Sequence, residues 1–195
     1  PEQVGAMREA GWEIASHGLK WVEHRDMDEA EERARIAEAV RLHAEVVGEP
    51  PRGWMGPAAA ESRVTPDLLK EAGYTHLLDW PLDDQPVWMR TRAGPILSVP
   101  YPLEQNDAGH QVRRDHNGRE FADMVVDQFE EMVEECVERP LVFALSLHGF
   151  IAGQPFRMRP LRTAMAHCLQ PRHADRVWFT RARDIAEHCF NLAPG

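Results

Sequence analysis

No apolar run in the 195 residues approaches the roughly 20 needed to cross a bilayer as a helix, so the chain is not expected to span or need a membrane. Its opening residues alternate charged and apolar groups and so lack the apolar region of a secretory leader. Basic excess is missing too. The 22 Lys and Arg are interleaved among 32 Asp and Glu, leaving a net charge of -10 without the clustered basic face that nucleic acid requires. Cysteine is scarce, and Cys136, Cys168 and Cys189 stand far apart in helix-like stretches, which excludes a zinc ribbon or a disulfide framework. They read as buried free thiols in a reducing compartment, and the expected location is the cytoplasm. No Gly-rich strand-to-helix fingerprint and no Lys-bearing phosphate loop is found, so neither hydride nor phosphoryl transfer is indicated. A Gly-x-Ser-x-Gly elbow is also lacking, and Ser146 reads as a pleat-facing residue rather than a nucleophile.

What is present is the ordinary composition of a globular domain, 43% hydrophobic and 28% charged, and one domain over residues 1–195 is expected. The chain starts at Pro1 rather than Met, so a natural N-terminus further upstream is expected. Short apolar runs alternate with longer amphipathic ones, the pattern of β/α units. A strand over 12–16 leads to a helix over 28–47 with Ile36, Val40, Ala44 and Val47 on one face, Asp28 as cap and Gly48 as stop. A short strand over 53–55 precedes a helix opened by Thr65 and Pro66 and closed by Gly73. Strands are expected over 74–80 and 96–100, with a polar stretch lacking helical period between them. The loop over 104–118 is long enough to suggest function. A helix over 119–138 carries Phe121, Val125, Phe129, Met132 and Cys136 as one stripe. The apolar run 141–147 reads as a strand covered on both faces, followed by a helix over 157–169, a strand over 176–179 and a Thr180-capped helix.

Polar residues sit where these strands end: His17 after the first, Asp79 at the third and His148 after the longest. In β/α barrels the C-terminal strand ends converge on one mouth, so three titratable groups at three such ends form a site pattern. The chemistry they support is proton transfer around a tetrahedral intermediate, with His148 as general acid and Asp79 and His17 assisting.

These residues also carry a resemblance. Gly11-Trp12-Glu13-Ile14-Ala15-Ser16-His17-Gly18 resembles the second motif of NodB-like polysaccharide deacetylases, and Leu145-Ser146-Leu147-His148 resembles the last. Arg52-Gly53-Trp54 and Leu68 to Tyr74 resemble the approach to the third motif, and Asp79-Trp80 with Asp83-Asp84-Gln85-Pro86 the acidic segment after it. Within that superfamily the allantoinase-type branch is most similar, through His17-Gly18-Leu19-Lys20-Trp21, Pro100-Tyr101-Pro102-Leu103 with Asn106-Asp107, and Gly153-Gln154-Pro155. The resemblance implies an α/β fold, a NodB-like distorted (β/α) barrel whose N-terminal strand or two lie outside this chain.

It further implies a hydrolase of non-peptide carbon–nitrogen bonds acting on an N-acetyl amino sugar of a glycan or on a small cyclic amide or ureide. Metal-dependent members hold a divalent metal with a first-strand Asp and two His three residues apart. This sequence offers His17 but Trp21 at the second position, and His24 is badly spaced to replace it. His17 is then a lone metal ligand or a substrate hydrogen-bonder, and zinc would have to be completed by residues outside the chain. Substrate contacts are expected from Trp54, Asp83, Asp84, Asn106 and Glu13, and all but Asn106 have a plainer alternative. Trp54 and Trp80 also suit packing, Asp83 and Asp84 suit a turn before Pro86, and Glu13 suits support of His17 or exposure to solvent. His167, His173 and His188 receive no role. A catalytically silent barrel that binds a sugar or ureide is the competing reading, and a homo-oligomer is left open.

Overall fold

The computed structural model describes residues 2–192. A short helix α1 (Glu2–Glu9) precedes α2 (Glu29–Val47), whose start and stop follow the sequence signals. Asp28 accepts from the backbone N–H of Glu31 at 2.8 Å, and Gly48 closes the helix at φ 89°, a left-handed conformation that glycine adopts without steric cost. Then come β1 (Gly53–Trp54), α3 (Thr65–Glu71), β2 (His76–Leu77), β3 (Val87–Thr91) and β4 (Gly94–Ser98). They are followed by α4 (Gly118–Glu135), α5 (Gly149–Ala152), α6 (Pro155–Cys168) and α7 (Ala182–Asn191). Among the described helices none is long and apolar enough to cross a membrane.

The sheet is mixed, in the order β1-β2-β4-β3, with β1, β2 and β4 parallel and β3 antiparallel to β4. The expected (β/α) barrel is therefore overturned. Closure requires every strand to ladder with two neighbours. Here β3 and β4 form a hairpin around Arg92 and Ala93, and the antiparallel outer strand ends the parallel series as an open edge. The expected strand over 12–16 contributes one parallel bridge, Ser16 to Trp54, and the run 141–147 one, Ser146 to Asn106. The stretch 176–179 contains no strand. Apolar runs are necessary for buried strands but do not supply a pairing partner, and these lack one over most of their length. Conversely β3 arises in the polar stretch between the expected strands, because Val87, Met89 and Thr91 alternate with the exposed Trp88 and Arg90.

Two compact units divide the chain, Pro1–Val99 with Thr180–Gly195 and Pro100–Phe179. The first is built on Trp54, Leu68, Leu69, Tyr74, Leu77 and Ile96, all at most 1% exposed, with Ile36 packed among them. The second is a helical core in which α4 buries Phe121, Val125 and Phe129 against Leu161, Ala164 and Cys168 of α6. Each such large side chain contributes about 1.5–3 kcal/mol on burial, so this stripe outweighs any single surface pair. Asn117 begins α4 with a full capping box to Glu120, and Gly118 lets it approach α6, since a Cβ there would lie 3.2 Å from the Cα of Arg157.

Candidate active site

In the second unit the extended run before α5 delivers His148, and the segment before a π-helical turn (Ala108–Arg113) delivers Asp107. The Ser146–Asn106 bridge fastens the two segments together, with Asp107 N–H donating to Ser146 O at 3.1 Å. Tyr101 adds a hydroxyl contact to Ser146. Asp107 is fully buried, and both its oxygens serve one residue: Oδ2 accepts the His148 backbone N–H at 2.8 Å and Oδ1 lies 2.6 Å from His148 Nδ1. The imidazole itself is 38% exposed. With Nδ1–H given to the carboxylate, Nε2 is the free nitrogen of the neutral ring, the tautomer that acid–base catalysis uses. A Cβ added at Gly149 would meet nothing within 4 Å, so the backbone beside the ring is open, and Phe150 stands 5.6 Å from His148, ring to ring.

In the first unit a second polar centre forms around Asp79. Trp54 Nε1 donates to Oδ2 at 2.9 Å and the Gly56 N–H to Oδ1 at 2.6 Å. Gly56 is required there, because a Cβ would fall 2.6 Å from Asp79 Oδ2. Glu61 is hydrogen-bonded to the same carboxyl and takes a 2.6 Å hydrogen bond from Trp80 Nε1 on its Oε2. Burial first, and the neighbouring Asp79 second, push the Glu61 carboxyl up to about 9. Asp79 is raised as well, by burial. Two carboxyl groups so placed do not both ionise, and the pair retains a proton at neutral pH. His17 is exposed, donates Nδ1–H to Met55 O at 2.5 Å, and favours the ionised form of Asp79 electrostatically.

The other expected contacts distribute unevenly. Trp54 is fully buried, set edge-on to Tyr74 at 5.7 Å, so it packs and hydrogen-bonds at once. Asp83 and Asp84 lie in an exposed bend where Asp83 Oδ1 accepts the Asp84 N–H. Asn106 Oδ1 accepts the N–H groups of Ala108 and Gly109, shaping the turn that follows Asp107. Glu13 faces away from the role of supporting His17: Oε1 is 3.2 Å from His76 Nε2 and Oε2 accepts the Arg183 N–H. A surface hollow of about 320 Å³ lined by Arg52, Lys70, Arg183 and Glu187 shares no residue with either centre.

The residues around His17 do not fit the two-His metal that the resemblance implies. Trp21 is 67% exposed, and His24 is buried with Nδ1 at 3.0 Å from Glu32, itself held by Ser62 and Thr65. One imidazole is left there, too few donors to hold the metal. A group that can hold a divalent metal lies instead wholly inside the chain, at Glu130, His167 and His173, whose ligand atoms are within 4.8 Å of one another. The expectation that a metal needs residues from outside thus does not extend to this second location. Sequence reading missed it, as it missed Glu61 and the role of Asp107. Glu130 sits on the polar face of α4 and the two histidines come 37 and 43 positions later, so no local spacing announces them. Asp107 carried one usable signal, its place in the long polar loop.

Residues 1–77 match the polysaccharide deacetylase family model. The crystal structure of a probable polysaccharide deacetylase from Pseudomonas aeruginosa PAO1 is 35% identical with a TM-score of 0.84, covering 96% of this chain and 62% of that one. That of Puue allantoinase is 34% identical with a TM-score of 0.86 at the same coverage. A Schizosaccharomyces pombe protein named for polysaccharide deacetylases is 29% identical over 96% of this chain and 63% of its own length. The chain thus spans less than two thirds of the length of these relatives.

Proposed function

The chain belongs to the NodB-like polysaccharide-deacetylase superfamily, and from that premise we propose that it hydrolyses a non-peptide carbon–nitrogen bond in a small cyclic amide or ureide. The observation that carries this reading is the Asp107–His148 dyad: a buried carboxylate holding one ring nitrogen while the imidazole stays open to solvent. In the proposed reaction, water attacks the carbonyl carbon and His148 Nε2 accepts its proton. As the tetrahedral intermediate collapses, the carbon–nitrogen bond breaks and the same proton passes to the leaving nitrogen. Asp107 keeps the ring in register and stabilises its protonated form.

The substrate class is favoured by the donor set at His17, which falls short of the metal site of glycan deacetylases, and by the similarity to Puue allantoinase. Ring opening of cyclic ureides and acetate release from N-acetylglucosamine oligomers, measured side by side on the full-length natural protein, test the proposal. Ureide opening that His148→Ala reduces by about 10²–10⁴-fold supports it. Acetate release without ring opening overturns the substrate class, and undiminished turnover in His148→Ala overturns the mechanism.

A further inference from the structure

In the second unit several donors crowd one carboxylate oxygen, using none of the dyad's residues. Glu130 Oε1 lies 2.5 Å from His167 Nε2, 2.6 Å from Arg172 Nη2 and 3.5 Å from His173 Nε2. Arg172 Nη2 is also 3.0 Å from His167 Nε2. A single ring nitrogen cannot donate to Glu130 and accept from Arg172 in the same state, so the protein's own hydrogen bonds leave this cluster unresolved. His173 sharpens the conflict. Its side chain is 5% exposed, yet Nε2 has no hydrogen-bond partner and faces the same oxygen. A buried, unpartnered imidazole nitrogen is unfavourable unless something else occupies its lone pair.

We propose that Glu130, His167 and His173 bind a divalent cation of the zinc class. One ion accepts Glu130 Oε1, His167 Nε2 and His173 Nε2 together, which gives the orphaned nitrogen a partner and removes the conflict at His167. Zinc with ligands at about 2.0–2.2 Å places neighbouring ligand atoms about 3.3 Å apart, and the observed 2.5 and 3.5 Å bracket that spacing. The ligand set, two imidazoles and one carboxylate, is one that zinc accepts with water in the fourth position. Arg172 is 53% exposed and is free to swing into solvent as the ion enters.

The three ligands come from three separate elements. Glu130 projects from α4, His167 from the last turn of α6, and His173 from a short 3-10 turn (Pro171–His173), its ring held edge-on to Phe129 at 5.0 Å. The bound ion therefore clamps α4 to the C-terminal end of α6. Because metal binding to the folded state alone is linked to folding, the clamp raises the melting temperature.

The chain is stripped with chelator and titrated with zinc by calorimetry, with elemental analysis of the dialysed product and thermal melts in parallel. One zinc per chain, a raised melting temperature, and affinity weakened at least ~100-fold in His167→Ala are expected, since each lost ligand removes a share of the binding energy. Arg172→Ala, which only removes the competing cation, binds zinc as tightly or more tightly. His148→Ala binds it unchanged. The proposal is overturned if the wild-type chain takes up no zinc, if His167→Ala and Glu130→Gln bind it as the wild type does, or if His148→Ala is the variant that loses it.

Discussion

Asp107 and Asp79 are both buried aspartates fastened by two hydrogen bonds each, yet their neighbours give them opposite uses. Asp107 spends both oxygens on His148, whose ring reaches solvent, so a buried group holds an accessible one in place. Asp79 meets the Trp54 indole, the Gly56 N–H and a second carboxyl, Glu61, so the centre stores a proton. Burial alone does not decide what a carboxyl does. What faces its remaining lone pairs does.

The contrast is broken most severely at the dyad. Asp107→Asn keeps the shape but offers the imidazole an amide whose orientation no longer enforces the Nδ1–H tautomer, and turnover is expected to fall about 10²–10⁴-fold with the melt little changed. Retention of wild-type turnover in that variant would sink the tautomer argument. Next in size is Gly56→Ala in the Asp79 centre. The new Cβ would stand 2.6 Å from Asp79 Oδ2 and 3.1 Å from Trp54 Nε1, so a loss of about 1–3 kcal/mol in chemical denaturation is expected. A neutral result would mean that the indole–carboxylate contact is slack.

A pH titration of stability sharpens the comparison further. The folded chain keeps the Glu61 proton up to about 9, while the unfolded chain releases it near the ordinary 4.5. Between those values the folded state binds more protons, so this group's contribution is full below about 4.5 and drains away as pH rises toward 9. Glu61→Gln should flatten that decline. Parallel stability curves for the two proteins would remove the proton from the Asp79 centre. The smallest effect belongs to an ordinary carboxylate at the start of α7. Asp184 is held down at about 2, first by its hydrogen bond from Arg181, so its stabilisation is present at neutral pH and is lost as pH falls through that value. Solvent screening limits the effect, and Asp184→Asn should cost under about 1 kcal/mol at pH 7 and nothing below pH 2. An equal loss at both pH values would point to packing instead.

How much was legible follows from which interactions are local. The limits of α2, the apolar stripe of α4 and the Pro66 opening of α3 rested on caps, periods and neighbouring residues, and each reads along the chain, whereas α4 ends at Glu135, three residues before the expected stop. The barrel did not survive, because strand pairing is a relation between distant segments and an apolar run such as 141–147 carries no record of its partner. Likewise the partners of the functional groups lie far off: Asp107 is 41 residues before His148, Glu61 turns to Asp79 across α3, and Glu130 meets histidines from two later elements.

The sequence by itself determined the helices α2, α3, α4, α6 and α7, though not α1 or α5, the motifs around His17 and His148, and the absence of the signatures of other chemistries, since these depend on residue types and short spacings. Only the tertiary structure decided that the sheet stays open, that Glu13 turns to His76, and that an unpartnered buried histidine faces a carboxylate. Hydrogen bonds and charge pairs act over a few ångströms of space, and the fold alone determines which residues come that close.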